Sequence, residues 1–224
     1  MTQKRLTIVT GHYGSGKTEF SVNKAIDLKK RNEKVSIADL DIVNTYFRTR
    51  ERGEFLESLG IHVCDSSVKT PSLDLPAIPA EVMGIIQDES TTSVLDIGGD
   101  AVGARVLARF SPLVQKVDYD LLFVINANRP ETQTVEDVIE YIRAIEKTSD
   151  LTITGLVNTT HLLKATTVED VERGHMLAKA VSLETNIPIA YEVAIESVAG
   201  LIENEEIKEK LFPIKMYMRE GWMS

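Results

Sequence analysis

The sequence predicts a three-layer α/β/α fold around a mostly parallel, doubly wound sheet of about seven strands. Three observations predict it. Short apolar runs alternate with helical patterns along the chain. Several of those runs are nearly continuous rather than alternating, as expected of parallel strands covered on both faces. A glycine-rich turn, residues 11–18, stands between the first such run and the first helical stretch.

The strand candidates are residues 6–10, 35–41, 61–65, 93–97, 121–127, 153–158 and 187–191. Between them, residues 18–30 read as a helix after the glycine-rich turn. Val135, Val138, Ile139, Ile142 and Ile145 form one apolar stripe, with Thr134 and Asp137 as a capping pattern ahead of it. Thr167 and Asp170 repeat that pattern before a helix running toward Glu184, in which Gly174 is the weak position. No internal repeat or linker divides the chain, so residues 1–224 read as one domain.

Composition narrows the function classes. The chain has 224 residues, 43% of them hydrophobic, and a net charge of −9. Affinity for nucleic-acid phosphates comes mainly from Lys and Arg, so this balance argues against a nucleic-acid binder and against an anionic membrane surface. A single cysteine, Cys64, excludes an intramolecular disulfide and fits a cytoplasmic protein. The short N-terminal apolar run leads straight into the glycine-rich turn and reads as a strand rather than a secretory signal.

The turn spells Gly11, His12, Tyr13, Gly14, Ser15, Gly16, Lys17, Thr18, the G-x-x-x-x-G-K-T pattern of a phosphate-binding P-loop, in the strand–loop–helix context that the pattern needs. Its glycines let backbone N–H groups point at phosphate oxygens, and the helix N-terminus adds its positive end. Lys17 supplies a charge to the β- and γ-phosphates and Thr18 a hydroxyl to Mg²⁺. Glu19, next along the helix, is counted with the nucleotide-binding residues. A second element, residues 93–99 (SVLDIGG), is a strand ending in an acid, with Asp96 as a Mg²⁺ ligand and Gly99 as a backbone donor to the γ-phosphate. A third, residues 35–44, places Asp39 and Asp41 at the C-terminal end of the second strand. There they orient the attacking water or a metal-bound water, or else cap the following turn.

Together these elements resemble the MinD/ParA/CobQ group of P-loop ATPases, in the SIMIBI class, which includes the nitrogenase iron protein. Asn128-Arg129-Pro130-Glu131 is similar to the Asn-Pro-Glu segment of MinD, and Gly155-Leu156-Val157-Asn158 to the strand ending in a base-reading Asn. The resemblance implies an ATPase switch that uses ATP and Mg²⁺. It implies Lys17, Asp41 and Asp96 as catalytic residues, Thr18, Asp41 and Asp96 around Mg²⁺, Asn158 on the adenine, and residues 192–197, with Glu192, as the base-pocket wall. It also implies a homodimer, nucleotide-dependent or permanent, and a protein or metalloenzyme partner that senses the nucleotide state.

The sequence departs from the family at His12, where a signature lysine would reach the partner's nucleotide; Arg48 or Arg50 is a candidate substitute for that charge, although both read first as surface residues of the switch segment. The glycine-rich loop is also similar to that of metallochaperone GTPases, which read guanine with N-K-x-D. Residues 158–161 are Asn-Thr-Thr-His and lack that carboxylate, which favours adenine. A small-carboxylate ligase of the CobQ or dethiobiotin synthetase kind is the second reading, and a metallochaperone GTPase the third. His62 and Cys64 are too few for a structural metal site. Residues 71–79 read as a connecting loop, and residues 211–224 as a segment that packs back on the domain or docks a partner, not as a membrane anchor.

Overall fold

The computed structural model describes residues 4–32, 34–40, 52–65 and 80–218, with the backbone alone at Asp65. Asp41, Arg48, Arg50, residues 71–79 and residues 219–224 lie outside them. The strands are β1 (Leu6–Thr10), β2 (Val35–Asp39), β3 (Ile61–Asp65), β4 (Thr92–Asp96), β5 (Tyr119–Ile125), β6 (Gly155–Asn158), β7 (Ile189–Ile195) and β8 (Leu211–Ile214). The helices are α1 (Lys17–Lys29), α2 (Gly53–Ser58), α3 (Ala80–Gln87), α4 (Ala101–Val114), α5 (Val135–Ser149), α6 (Val168–Thr185), α7 (Glu196–Ala199) and α8 (Glu205–Lys208).

All eight strands form one sheet in the order β3-β2-β4-β1-β5-β6-β7-β8, and every pairing is parallel. Successive side chains of a strand point to opposite faces, and both faces are covered. Leu6 and Ile8 of β1 join a core with α3, α4, α5 and α6 through residues such as Ile86, Phe110, Ile142 and Val181. Val9 joins the opposite core with α1 and α2, through Phe20, Leu28 and Leu56. Those two layers are the reason the strands read as unbroken apolar runs.

The eighth strand departs from the expected seven. Pro213 interrupts residues 211–214 for a helix and lacks the N–H that a central strand must donate. On β8, the sheet edge, that donor is not needed. Pro213 stands opposite Ala194 in the register. Phe212 anchors the strand edge-on to Phe20 and Tyr191, with ring centroids 5.6 and 5.5 Å away. Lys24 donates to the Tyr191 hydroxyl at 2.8 Å.

The caps follow the sequence. The Thr167 hydroxyl accepts from Asp170 N and the Asp170 carboxylate accepts from Thr167 N, a complete capping box. Thr134 accepts from Asp137 N at 3.2 Å. Gly174, the weak position of α6, has a packing reason. A Cβ there would overlap Asn158 Oδ1 and Thr160 Oγ1. Alanine gains about 1 kcal/mol of helix propensity, but overpacking costs about 1–3 kcal/mol, and the blocking atoms belong to a buried polar network. We expect Gly174→Ala to lower stability by up to about 2 kcal/mol net; a rise in the chemical-denaturation midpoint would contradict this packing.

Candidate nucleotide site

In a parallel sheet, ligands bind at the C-terminal strand ends where the chain direction along the sheet reverses. Here that point lies around β1: the chain runs out to β3 on one side and, after β4, crosses to β5 on the other. The loop between β1 and α1 sits at that crevice. Gly11, Gly14 and Gly16 have φ of 148°, 73° and 93°, backbone that a side chain would strain. Gly16 is the N-cap of α1 and no side chain caps that end, so the first-turn N–H groups point into the cleft. Ser15 is fully buried in the loop, and its Oγ finds no hydrogen-bond partner among the described residues. Lys17 is 5% exposed and donates to His12 O at 3.2 Å. This uncapped helix end, glycine cradle and orphaned hydroxyl fit the phosphates of a nucleotide.

Two neighbouring segments hold the loop from outside. Arg129, after β5, donates from Nε to Gly14 O at 2.8 Å. Its guanidinium packs against Gly14 so closely that a Cβ there would have to push it aside. Thr159, after β6, donates to Ser15 O, and His161 approaches Gly16. Arg129 and His161 line the cleft with Lys17 and Thr18, so basic groups surround the phosphate position.

Asp96 ends β4, the strand paired with β1, and is fully buried. Asp39 ends β2 directly opposite it in the register and is 4% exposed. The register brings these two acidic residues side by side at the strand ends next to the loop; Asp41, two residues on, lies outside the described residues. Beyond Asp96, a Cβ on Gly99 would overlap Gly11 O, so the glycine lets the second element touch the P-loop backbone directly. Asp100 then caps α4, accepting from Val102 N and Gly103 N at 3.0 and 2.7 Å.

His12 turns back onto its own chain. Its ring stands edge-on to Tyr141 of α5 at 5.6 Å, with Nδ1 3.6 Å from the Glu131 carboxylate. Burial, then the charges of Asp100 and Glu131, push the Tyr141 hydroxyl above its usual range.

Two of the expected base-side residues, Asn158 and Glu192, do not line the cleft. Asn158 and Glu192 stand behind the cleft wall, both fully buried. Asn158 donates to Val171 O at 3.0 Å and Glu192 Oε2 at 2.8 Å, and its Oδ1 accepts from Thr160 N at 3.0 Å. With donor and acceptor ends engaged, its amide supports the loop and does not face the base position. Glu192 also meets His175 Nδ1 at 2.6 Å. Burial pushes its carboxyl above the usual range, against the lowering pull of His175 and Asn158. The cleft wall in front of Asn158 and Glu192 is made by Thr159, Thr160, Met216 and Met218 and, from the expected segment 192–197, by Val193 and Ile195. The sequence signal for part of it was Met spacing near the chain's end, which composition alone does not connect to the cleft.

His62 pairs with Glu81 at 2.7 Å and Cys64 is buried in the core. Among the described residues no cluster of three or more His, Cys, Asp or Glu is arranged to hold a metal ion, and no helix is long and apolar enough to cross a membrane.

No protein-family model and no curated protein matches the chain. Solved structures do. Cell division protein FtsY from Thermotoga maritima superposes with a TM-score of 0.55 at 18% identity, over 83% of this chain and 60% of that one. Chloroplast FtsY from Physcomitrella patens gives 0.56 at 17%, over 85% and 58%. The signal recognition particle 54 kDa protein from Aeropyrum pernix K1, solved in complex with GDP, gives 0.52 at 21%, over 82% and 40%. The chain thus spans less than two thirds of the length of these neighbours. What it shares with them is the fold: a parallel α/β sheet of the P-loop nucleoside-triphosphatase type.

Proposed function

We propose that the chain is a Mg²⁺-dependent ATP-binding and ATP-hydrolysing switch of the MinD/ParA/CobQ type, built as a single nucleotide-binding domain. The observation that carries this reading is the P-loop at the sheet's reversal point, with an uncapped helix start, Lys17 and the orphaned Ser15 hydroxyl at one position. Its backbone N–H groups bind the β- and γ-phosphates, and Lys17 adds charge that counters what builds up on them during transfer. Water attacks the γ-phosphorus, the bond to the bridging oxygen breaks, and ADP and phosphate leave. Thr18, Asp96 and Asp41 would hold Mg²⁺, which when bound neutralises charge on the β- and γ-oxygens. Gly99, in contact with Gly11, is placed to register the γ-phosphate and pass its presence to Asp100 and α4. A protein partner reading that change, and a homodimer, complete the proposal.

Adenine is favoured by the base wall. Guanine presents N1 and N2 donors that a carboxylate accepts. The one carboxylate lining the described cleft is Glu19, and both its oxygens accept backbone N–H groups of Tyr217 and Met218. GTP is the competing nucleotide, favoured by the GDP in the FtsY structure from Elizabethkingia anophelis and in the Aeropyrum pernix structure. Competition between Mg·ATP and Mg·GTP for a fluorescent nucleotide separates them. We expect ATP to bind at least tenfold more tightly, a difference of about 1.4 kcal/mol; the reverse order would install the GTP reading. Light scattering of the same samples, with Asp41→Ala to prolong the triphosphate state, tests the dimer.

A further inference from the structure

The chain beyond β8 lies along α1 and is held there by two side chains one helical turn apart. Asn23 acts like a strand partner: its Nδ2 donates to Lys215 O at 2.8 Å, and its Oδ1 accepts from Lys215 N at 2.9 Å. Glu19 takes the next two donors, Tyr217 N at 2.5 Å and Met218 N at 3.1 Å. Glu19 directly follows Thr18 of the P-loop, so this clamp sits one residue from the phosphate site.

Residues in an extended segment alternate sides. Met216 and Met218 line the nucleotide cleft, and Met218 is 6% exposed. Tyr217, between them, belongs to the other side. Its ring stacks on Phe55 of α2 at 5.4 Å and an interplanar angle of 30°, and its carbonyl accepts from Arg52 Nε at 2.5 Å. Arg52 is the N-cap of α2. It follows residues 41–51 in the chain, the segment that carries Asp41.

Resting on the nucleotide reading above, we propose that Lys215–Met218 is a nucleotide-sensing strap. Met216 and Met218 form the base-side wall, Glu19 is the positioning residue that holds them in place, and Tyr217 ties the strap to α2. Thioethers are polarisable and adapt to a flat ring by dispersion, so they grip a base without reading its donors. Two backbone N–H groups on one carboxylate are charge-assisted bonds, strong enough to fix the strap but lost together if the carboxylate is removed. A bound base presses on the strap, and Arg52 and Phe55 receive that restraint at the start of α2. Base occupancy and the start of α2 are thereby coupled through a contiguous set of contacts.

Hydrogen exchange of peptides covering residues 211–218 and 52–58, with and without Mg·ATP, tests this beside nucleotide titration. Wild type is expected to bind nucleotide and to show slowed exchange in both peptides. Glu19→Ala is expected to speed exchange in 211–218, to weaken nucleotide affinity about tenfold, and to remove the nucleotide effect on 52–58. Glu19→Gln, which keeps an acceptor oxygen, should fall between the two. Tyr217→Ala should lose the nucleotide effect on 52–58 while weakening binding less than Glu19→Ala does. Unchanged affinity in Glu19→Ala, or wild-type binding that leaves the exchange of 211–218 unaltered, overturns the strap. A wild type that binds no nucleotide overturns the nucleotide reading itself, and the sensing role with it.

Discussion

Lys17→Ala is expected to weaken Mg·ATP binding about 100-fold and to abolish measurable hydrolysis. The ammonium is 5% exposed and held at the loop by His12 O. Its loss removes a charge-assisted contact worth up to about 3 kcal/mol, which corresponds to roughly two decades of affinity. The transition state loses more than the ground state, because charge on the transferring group is what the lysine meets. Calorimetric titration and phosphate release measure the two effects. The variant should still unfold cooperatively, since the three hydrophobic clusters contain no atom of Lys17. Affinity within threefold of wild type would remove the P-loop from the account.

Glu192→Ala is expected to cost about 3 kcal/mol of stability. The carboxylate is fully buried and serves two donors, His175 Nδ1 at 2.6 Å and Asn158 Nδ2 at 2.8 Å. Removing it leaves buried polar groups without that partner, which is worse than never having had the pair. For a chain of this size the melting temperature should fall by roughly 6–12 °C. The same group sets a pH dependence. Burial raises its folded-state pKa above the ordinary 4.5, so the folded chain binds the proton more tightly than the unfolded chain does. The stability linked to this group is therefore fully present below about pH 4.5 and is lost as pH rises through the raised folded value. Its surroundings include His175, Lys210 and, beyond His175, Glu206 and Lys179. Glu192→Gln should flatten this part of the stability–pH curve, as read by denaturant titration from pH 4 to 7. A wild-type curve that rises across that window by the same amount as the variant's would contradict the assignment.

Much of the fold was legible because its signals are local. Gly11, Gly14, Gly16, Lys17 and Thr18 announce a phosphate loop by spacing alone, and Thr167 with Asp170 announces the start of α6. The unbroken apolar runs gave the parallel strands their positions to within a few residues, since burial on both faces leaves little place for polar residues. β8 was not legible. A four-residue strand containing Pro213 looks like a breaker until its place at the sheet edge is known. The part of the cleft wall made by Met216 and Met218, and the engagement of Asn158, were hidden for a related reason. Asn158 sits at the C-terminal end of a strand, where a base reader belongs, but its amide is spent on Thr160, Val171 and Glu192. Those partners are 2 to 34 residues away in sequence and meet only through α6 and β7. Glu19 likewise reads as a first-turn acid on a helix, yet its carboxylate closes on backbone 198 and 199 residues away. Positions set by long-range closure carry no periodic signature.

Cleavage of a bound triphosphate at this loop is read out by a single-turnover assay. Excess protein is mixed with ATP and Mg²⁺, and ADP and inorganic phosphate are quantified over time, with and without EDTA. One phosphate and one ADP are expected per ATP bound, with no release when the metal is chelated. Bound ATP recovered intact, in the presence of Mg²⁺ and after many hours, would contradict it.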